Sequence, residues 1–468
     1  ADVSDEGLGA WLSSRPAMGV VIIGHGPIRL YTGSPDHSIA CTDVIDVEGE
    51  VLDSFSAAAA NFGKCLSAFQ FGRVDDNNLH DEPDIHGAFD DALANLLDAA
   101  RPLARPLYEA TLHKEVSELA VVCRTGLGYF PWESIPIDVH GRKLGDVLRI
   151  VRLDTLGDHG GPRVKKKDTV LAYVGTHEQA GKELTPGKYA LSLSSAVQSG
   201  YRREAFEEAA MNAGVIRLFS HAQHTPGPSS NRIHLGTSEN SYRLAETGEA
   251  FPWYTSGEIK ALDLRGCARV ELWACESAHS HDMFGFTTHV DEPNGLASAF
   301  LMTGAQRVLG SWWKQPIAPA ALICAHFSSH AGETQDAFAD AATLAGATAA
   351  YREAVAPGGV FEIALRRSVE ANISGATDPD ELRRSALADA WRAAFEAMTG
   401  RPSPDDAVDI AGAFLGGFAS KSVEAQRLEQ IGDDLDDTIA KWMALWQGPA
   451  AWAGWRIVAR DRRSLVAE

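Results

Sequence analysis

The sequence has few cysteines and no arrangement of them that would build a cross-linked or zinc-bound domain. Its six cysteines, at positions 41, 65, 123, 267, 275 and 324, include no pair separated by two residues. This spacing disfavours a structural zinc site and a disulfide framework, and it fits a reducing compartment. Each cysteine is judged by its own surroundings, and we expect all of them except Cys275 to be packed thiols.

Long apolar runs and basic charge are also scarce. No run approaches the roughly 20 apolar residues that span a bilayer, and no basic and then apolar segment lies near the first residue. The formal net charge is −21, and the one basic cluster is Arg163–Lys167, beside a Gly-Gly-Pro stretch. Because nucleic-acid binders need cationic surface, we expect no nucleic-acid partner. We also expect no membrane partner and a cytoplasmic location.

What is present predicts an α/β protein. The chain has 468 residues, 45% of them hydrophobic and 22% charged, which is enough for two domains. Strand-like and helix-like segments alternate in the order DTVLAYVGT, REAFEEAAMNA, GVIRLFSH, SGEIKALDL, ARVELWAC and GLASAFLMTG. Alternation of this kind predicts a mainly parallel sheet with helices on both faces.

Other segments extend this pattern at both ends. We expect strands within residues 18–49, a long helix over 85–112, Ala-rich helices over about 325–445 and a final strand near 455. The helix before the second candidate strand is expected to be capped by Thr255 or Ser256. The helix after it is expected to be capped by Asn294 and to end near Gly304.

His221 and Cys275 each follow an apolar run that is typical of a buried strand. Because the carboxyl ends of parallel strands share one edge, where α/β sheets place their sites, we expect the two residues to meet there. A cysteine attacks as its thiolate, and histidine is the natural base near neutral pH. The residues alone leave Cys275 as either a nucleophile or a small core residue.

A metal site is the competing interpretation of the same region. His221 and His224 are three residues apart, but Pro226 and Pro228 prevent a helix that would place both rings on one face. No cysteine pair or second carboxylate completes a zinc ligand set. We therefore expect neither a metal nor another cofactor.

Three consecutive segments surround the candidate residues, namely VIRLFSHA, SGEIKALDLRGCARVELWACESA and DEPNGLASAFLMTGAQRVLGSWW. Their order resembles the CHAT family of caspase-like cysteine peptidases, in the clan of caspases, separases and gingipains. Weaker similarity extends the resemblance to about residues 90–323 and 445–460. In caspases the histidine precedes the cysteine by about 50 residues, and here His221 precedes Cys275 by 54.

The resemblance implies a fold and a set of roles. The fold is a caspase-like three-layer α/β fold, with a smaller inactive caspase-like half at residues 1–160. The catalytic half covers residues 161–468 and contains a helical elaboration over about 325–445, which either docks a partner or covers the sheet. Cys275 becomes the nucleophile and His221 the general base. The backbone N–H groups of Ala222 and Cys275 become the oxyanion hole.

The implied activity is that of a cysteine endopeptidase that cleaves one or a few protein targets through a thioester. The resemblance places such an enzyme in regulated bacterial immunity or cell death, with a separate regulatory or sensor protein as partner. Where the family has a glycine after the histidine, this chain has Ala222, and a methyl group is costly if the position needs a positive φ or a very close approach of the substrate. A catalytically impaired module that binds other proteins is therefore the alternative.

Substrate selection is expected to depend on residues near the cysteine strand. Four acidic residues, Glu276, Asp282, Asp291 and Glu292, lie in that neighbourhood. An acid in the pocket would select Arg or Lys before the cut, whereas aromatic walls alone would favour an apolar residue. Glu276 could instead hold its own loop, and Trp312 could either contact substrate or pack in the core. The sequence KQPIAPAA after Trp313 departs from the acidic run that is usual in the family.

Overall fold

A computed structural model describes residues 6–23, 28–34, 36, 38–45, 50–71, 85–123, 131–153, 169–175, 185–193, 197–200, 203–223, 231–235, 253–275, 277, 295–313, 315–332, 336–403 and 428–460. Its helices are α1 Glu6–Ser13, α2 Glu50–Phe71, α3 Ile85–His113, α4 Leu144–Val147, α5 Thr185–Ser192, α6 Arg203–Asn212, α7 Ser256–Ile259, α8 Leu296–Met302, α9 Ile317–His330, α10 Ala337–Val355, α11 Val360–Asn372, α12 Pro379–Thr399, α13 Leu428–Asp433 and α14 Leu435–Gln447. Its strands are β1 Met18–Ile23, β2 Ile28–Gly33, β3 Ile39–Ile45, β4 Glu118–Cys123, β5 Arg149–Leu153, β6 Val170–Gly175, β7 Val197–Gly200, β8 Val215–Ser220, β9 Ala222–Gln223, β10 Arg232–His234, β11 Trp253–Thr255, β12 Arg269–Trp273, β13 Arg307–Ser311 and β14 Trp455–Ala459.

Eleven of these strands form one sheet, in the order β3-β2-β1-β4-β5-β14-β13-β12-β8-β6-β7. Seven of its ten neighbouring pairs are parallel, and the antiparallel pairs are β3–β2, β2–β1 and β14–β13. The expected mainly parallel sheet is therefore confirmed. Strands β9, β10 and β11 form a separate antiparallel sheet that follows β8 along the chain.

The final strand, β14, lies inside the large sheet. It pairs in parallel with β5 and antiparallel with β13. It therefore joins the strands of the first 153 residues to those that begin at residue 170, and one sheet runs through both regions. The strand itself agrees with the sequence, whereas the domain boundary expected at residue 160 lies outside the described residues.

Helices cover both faces of the sheet. On one face, Phe327 of α9 packs against Trp273 of β12, with ring centroids 5.7 Å apart. Tyr173 of β6 lies in the same cross-strand row as Leu272, the residue before Trp273, so it points to the opposite face. There Phe206 of α6 packs edge-on against Tyr173 at 5.2 Å. This arrangement of helix, sheet and helix confirms the expected three layers.

Helices α9 to α14 lie between residues 317 and 447, within or next to the expected helical elaboration, of which residues 333–335 and 404–427 are outside the described part of the chain. Helix α9 packs on β12, and α10 packs on β5 and β14, while α11 and α12 lie against those two helices. The first two helices therefore cover the sheet, which is one of the two roles considered for this region. In the described residues, no helix has both the length and the apolar character needed to cross a membrane.

Several local predictions can be compared with the structure. Thr255 caps α7 as expected, since its hydroxyl accepts a hydrogen bond from the Glu258 N–H. The prediction for α8 is wrong, because Gly295 occupies the cap position and Asn294 lies outside the described residues. Helix α8 ends at Met302, close to the expected Gly304, whose φ of +109° favours glycine.

The cysteines divide into two groups. Cys267 and Cys324 are fully buried, and Cys65 is partly buried, as expected for packed thiols. Cys41 is exposed, so the expectation that it packs in the core is wrong. The reason is that β3 is an edge strand of the large sheet, and Cys41 lies on it.

Candidate active site

The two candidate residues close neighbouring parallel strands. The last paired residues of β8 and β12 are Phe219 and Trp273. His221 and Cys275 each come two residues later, so the two strands end side by side at the carboxyl edge of the sheet. Adjacent strands lie about 4.8 Å apart. His221 and Cys275 therefore begin the connections that leave two neighbouring strands, at the edge where α/β sheets carry their sites.

Cys275 is partly exposed, and its sulfur contacts the backbone of Gln315. The Gln315 N–H donates to Cys275 Sγ at 3.4 Å, and the Cys275 thiol faces the Gln315 carbonyl oxygen at 3.7 Å. Gln315 lies two residues before the first residue of α9. The sulfur therefore lies at the amino end of that helix, where the partial charge is positive.

The turn after Cys275 is held by the buried hydroxyl of Ser277. Its Oγ lies 3.1 Å from the carbonyl oxygen of Leu272 and 2.9 Å from that of Ala274, and it accepts a hydrogen bond from the Ser311 N–H at 3.0 Å. These contacts join the end of β12 to β13. The backbone on both sides of the cysteine is thus fixed to the sheet.

His221 begins the connection from β8 to the small antiparallel sheet. Its carbonyl oxygen accepts a hydrogen bond from the His234 N–H at 2.9 Å. The Ser220 hydroxyl donates to the His234 carbonyl oxygen and lies 3.3 Å from that of His221. His234 and Ser220 are buried, whereas His221 is partly exposed. The backbone of the candidate base is therefore anchored, and the residue keeps part of its surface exposed.

Ala222 has ordinary extended backbone. It is the first residue of β9 and pairs with Ile233, and among the described non-glycine residues only Glu115 has a positive φ. The condition under which its methyl group would strain the backbone is therefore not met. The hydrogen bond from His234 N–H to His221 C=O makes these two residues a hydrogen-bonded pair of the antiparallel ladder. Because such pairs alternate, Ala222 and Ile233 form a non-hydrogen-bonded pair, and the Ala222 N–H points away from β10.

Two rows of side chains lie beneath the candidate pair on the same face. Trp273 occupies the nearer row, and its ring lies 4.9 Å from that of Trp455 on β14. Ser311 of β13 lies between those strands, and its small side chain lets the two rings meet. Arg217 and Glu271 form the next row as a buried ion pair, with Nε and Oε1 3.2 Å apart.

This ion pair belongs to a larger group of buried charges. Arg269 Nε lies 2.9 Å from Glu271 Oε1, and Arg269 Nη1 lies 2.6 Å from Asp340 Oδ1. Arg307 completes the group by binding the other oxygen of Asp340. All five side chains are at most 2% exposed. The charges join β8, β12, β13 and α10 beneath the site.

The remaining predicted residues are the four acidic residues, His224 and Trp312. Glu276, Asp282, Asp291, Glu292 and His224 lie outside the described residues. Trp312 is described and is 2% exposed, and the Arg456 guanidinium stacks on its ring at 3.8 Å. This burial favours packing, which is the second of the two roles considered for Trp312.

Residues that the sequence did not single out contribute to the site. Gln315 lies between Lys314 and Pro316, and nothing in that pattern indicates contact with a sulfur atom. Arg217 and Glu271 carried a usable signal, because each is a charge within a run that is otherwise apolar. Opposite charges in two neighbouring buried strands predict a cross-strand pair.

A cavity of about 40 Å³ lies elsewhere, between β5, β14 and α10. Lys143, Arg352 and Trp452 line it, and the two cations lie 5.4 Å and 5.1 Å from the centre of the Trp452 ring. Burial, and next the charge of Arg352, lower the pKa of Lys143. Neither His221 nor Cys275 lines this cavity, so it is separate from the strand-end site.

Comparison with known proteins was made by sequence family and by fold. Residues 171–357 match the family model of the CHAT domain, which confirms the resemblance seen in the sequence over that part of the chain. No curated protein matches this sequence.

Two similar solved structures are separase from Saccharomyces cerevisiae, in a separase–securin complex, and RgpB from Porphyromonas gingivalis, in a complex of its pro- and mature domains. For separase the identity is 12% and the TM-score 0.45, with 73% of this chain and 29% of the separase chain covered. For RgpB the identity is 11% and the TM-score 0.31, with 54% of this chain and 63% of the RgpB chain covered. The chain thus spans less than a third of the separase chain.

Proposed function

Because residues 171–357 match the CHAT domain, we propose that the chain is a cysteine endopeptidase that cleaves one or a few protein targets. The observation that carries this proposal is the parallel register of β8 and β12, whose last paired residues lie two positions before His221 and Cys275. The partial exposure of both residues supports it as well, since a nucleophile and its base must reach the substrate.

The proposed reaction is acyl transfer through Cys275. Its thiolate attacks the carbonyl carbon of the scissile peptide, forming a carbon–sulfur bond and placing negative charge on the oxygen. The N–H groups of Ala222 and Cys275 stabilise that oxygen, and the orientation of the Ala222 N–H away from β10 is compatible with this role. The carbon–nitrogen bond then breaks as protonated His221 gives its proton to the leaving amine.

Hydrolysis of the thioester completes the cycle. His221 removes a proton from a water molecule, whose oxygen attacks the thioester carbon. The carbon–sulfur bond breaks, the carboxylic acid product leaves, and Cys275 is again a thiolate beside protonated His221. No oxidant, reductant or metal takes part in these steps.

Substrate choice and biological setting are further parts of the proposal. Glu276, Asp282, Asp291 and Glu292 would favour Arg or Lys before the cut, by charge complementarity. From the family resemblance we infer a cytoplasmic enzyme of bacterial immunity or cell death that is controlled by a separate protein. The alternative is a non-catalytic binding module; the extended backbone of Ala222 argues against it as far as a positive φ is concerned, and the space that a substrate needs at its methyl group is left to the test.

The test compares four proteins on a cell lysate by mapping newly formed amino termini with mass spectrometry. Wild type and Cys65→Ala are expected to produce the same new termini, whereas Cys275→Ala and His221→Ala produce none above background. Cys65 is a suitable control because it is also a partly exposed thiol, on α2.

Equal patterns from wild type and Cys275→Ala would refute the peptidase. Cleavage that survives Cys275→Ala and stops with a chelator would instead support the metal site with His221 and His224. Arg or Lys before the cut would support the acidic residues as the specificity pocket, and apolar residues would refute that role.

A further inference from the structure

Gln315 presents its backbone, and not its side chain, to the proposed nucleophile. The two contacts to Cys275 Sγ come from its N–H at 3.4 Å and its carbonyl oxygen at 3.7 Å. An N–H group stabilises a thiolate, and a carbonyl oxygen can accept only from the protonated thiol. The backbone of Gln315 therefore offers a hydrogen-bond partner to both the thiolate and the protonated thiol. The shorter contact, from the N–H group, is the one that stabilises the reactive thiolate.

The side-chain amide of Gln315 is fully occupied by the core. In the orientation that satisfies both ends, its nitrogen donates to the carbonyl oxygens of Ala451 and Ala450 at 3.1 Å and 3.3 Å. Its oxygen accepts from Ser311 Oγ at 2.9 Å and Trp313 Nε1 at 3.0 Å. Gln315 is only 4% exposed. These four partners hold the buried amide, and through it they position the backbone of Gln315.

The amide packs closely against the segment before β14. A Cβ atom added at Gly454 would lie 2.6 Å from the terminal atom of the Gln315 amide that faces Ser311, which is the oxygen in this orientation, and 2.9 Å from Ser311 Oγ. The segment before β14 therefore packs directly against the amide. Helix α9, 14 residues long, begins at Ile317, immediately after Pro316. Its positive amino end adds to the field that the Gln315 N–H directs at the sulfur.

We propose that the backbone N–H of Gln315 is a catalytic group of this site, which holds the Cys275 sulfur as its thiolate and is positioned by the buried amide of the same residue. The inference rests on the proposed function for its catalytic meaning, and it can be measured without a substrate. Nothing in the sequence motifs around His221 and Cys275 assigns such a role to the segment after Trp313.

The experiment measures how fast iodoacetamide alkylates Cys275 as a function of pH, with the modified peptide quantified by mass spectrometry. Gln315→Leu keeps the N–H and the side-chain bulk but removes all four amide hydrogen bonds. Gln315→Pro removes the N–H itself. Gln447→Leu is the matched control, because the Gln447 amide also bonds a backbone carbonyl, that of Val355 at 3.0 Å, away from the site.

We expect Gln315→Leu to move the midpoint of the pH–rate profile upward and to slow alkylation at neutral pH roughly three- to tenfold. For Gln315→Pro we expect a loss of about tenfold or more, as for one charge-assisted hydrogen bond. Gln447→Leu should keep the wild-type profile. Urea unfolding of each variant shows whether the fold is retained, and Gln315→Leu decides alone if the proline variant does not fold.

An unchanged midpoint in folded Gln315→Leu would overturn the inference. The same holds if Gln447→Leu shifts the midpoint as much, since the effect would then be general loosening. The result of this alkylation experiment can be distinguished from the result of the peptidase test. A chain that shows the shifted profile but cleaves nothing keeps this inference and loses the proposed function, whereas a peptidase with an unshifted profile does the reverse.

Discussion

Glu271 lies at the centre of the buried charges beneath the candidate site, and Glu271→Gln tests how much the fold depends on them. Glu271 binds Arg217 and Arg269 at 3.2 Å and 2.9 Å, and all three side chains are at most 2% exposed. Glu271→Gln removes the negative charge that faces Arg217 and Arg269, and breaking a buried ion pair from one side costs about 3–5 kcal/mol. Since a domain is stable by only about 5–15 kcal/mol, the change should be large.

The geometry explains why an amide of the same shape does not substitute. Both arginine Nε groups donate to Glu271 Oε1, and Trp273 Nε1 donates to Oε2 at 3.2 Å. Every donor thus points at an oxygen. If the amide nitrogen takes the position of Oε1 it faces two N–H groups, and if it takes that of Oε2 it faces one. Either way a buried donor loses its acceptor, and this cost adds to that of the lost charge.

The assay is urea unfolding followed by tryptophan fluorescence, with the free energy of unfolding extrapolated to water. Glu109→Gln is the control, because Glu109 pairs with Arg105 at 2.9 Å on the exposed surface of α3, where such pairs contribute about 0.3–0.5 kcal/mol. A loss below about 1 kcal/mol in Glu271→Gln, with an unchanged slope, would refute the assigned importance of the buried charges.

The pH dependence of the same variant gives an independent check. Burial alone would raise the pKa of Glu271, but Arg217, Arg269 and the hydrogen bond from Trp273 outweigh it and hold the pKa below its ordinary value of 4.5. A carboxylate with a lowered folded-state pKa stabilises fully above its unfolded pKa, and this contribution is lost as the pH falls through the folded pKa. The difference in stability between wild type and Glu271→Gln should therefore be complete above pH 4.5 and shrink below it.

Two further predictions concern residues beside the candidate pair. Ser277→Ala leaves the Ser311 N–H without its acceptor, so we expect unfolding free energy to fall by about 2 kcal/mol, with a smaller loss in Ser277→Thr; equal stability of wild type and Ser277→Ala would contradict this. Ala222→Gly should leave cleavage of a mapped target within about twofold and lower stability by about 1 kcal/mol, because the position is extended and needs no glycine. A several-fold faster cleavage by Ala222→Gly would show that the methyl group obstructs the site.

The parallel part of the sheet and its helices could be predicted from the sequence because their signals are local. Buried strands such as β8 and β12 are short apolar runs, and the helices between them end at recognisable caps, as at Thr255 and Gly304. Parallel strands place their carboxyl ends at one edge, so the neighbouring ends at His221 and Cys275 also follow from the pattern.

Other features depend on contacts between distant parts of the chain, which no local pattern contains. The sequence predicts β14 as a strand but does not place it between β5 and β13. These partners lie about 300 and about 150 residues earlier in the chain, respectively. Helix α2 was not expected either. The contact between Gln315 and Cys275 likewise depends on where α9 begins on the finished sheet.

The register of β8 and β12 sets the positions of His221 and Cys275, although both residues lie beyond the last paired residues of these strands. A shift of one residue between the strands would turn every side chain of one strand to the other face, and would set Arg217 against an apolar neighbour. A shift of two would pair Arg217 with Trp273 or with Arg269, leaving charges buried without partners. The ion pair of Arg217 and Glu271 therefore fixes the register more strictly than apolar side chains alone could. Because that register also sets where His221 and Cys275 stand, the buried charges hold the geometry of a site that they do not touch.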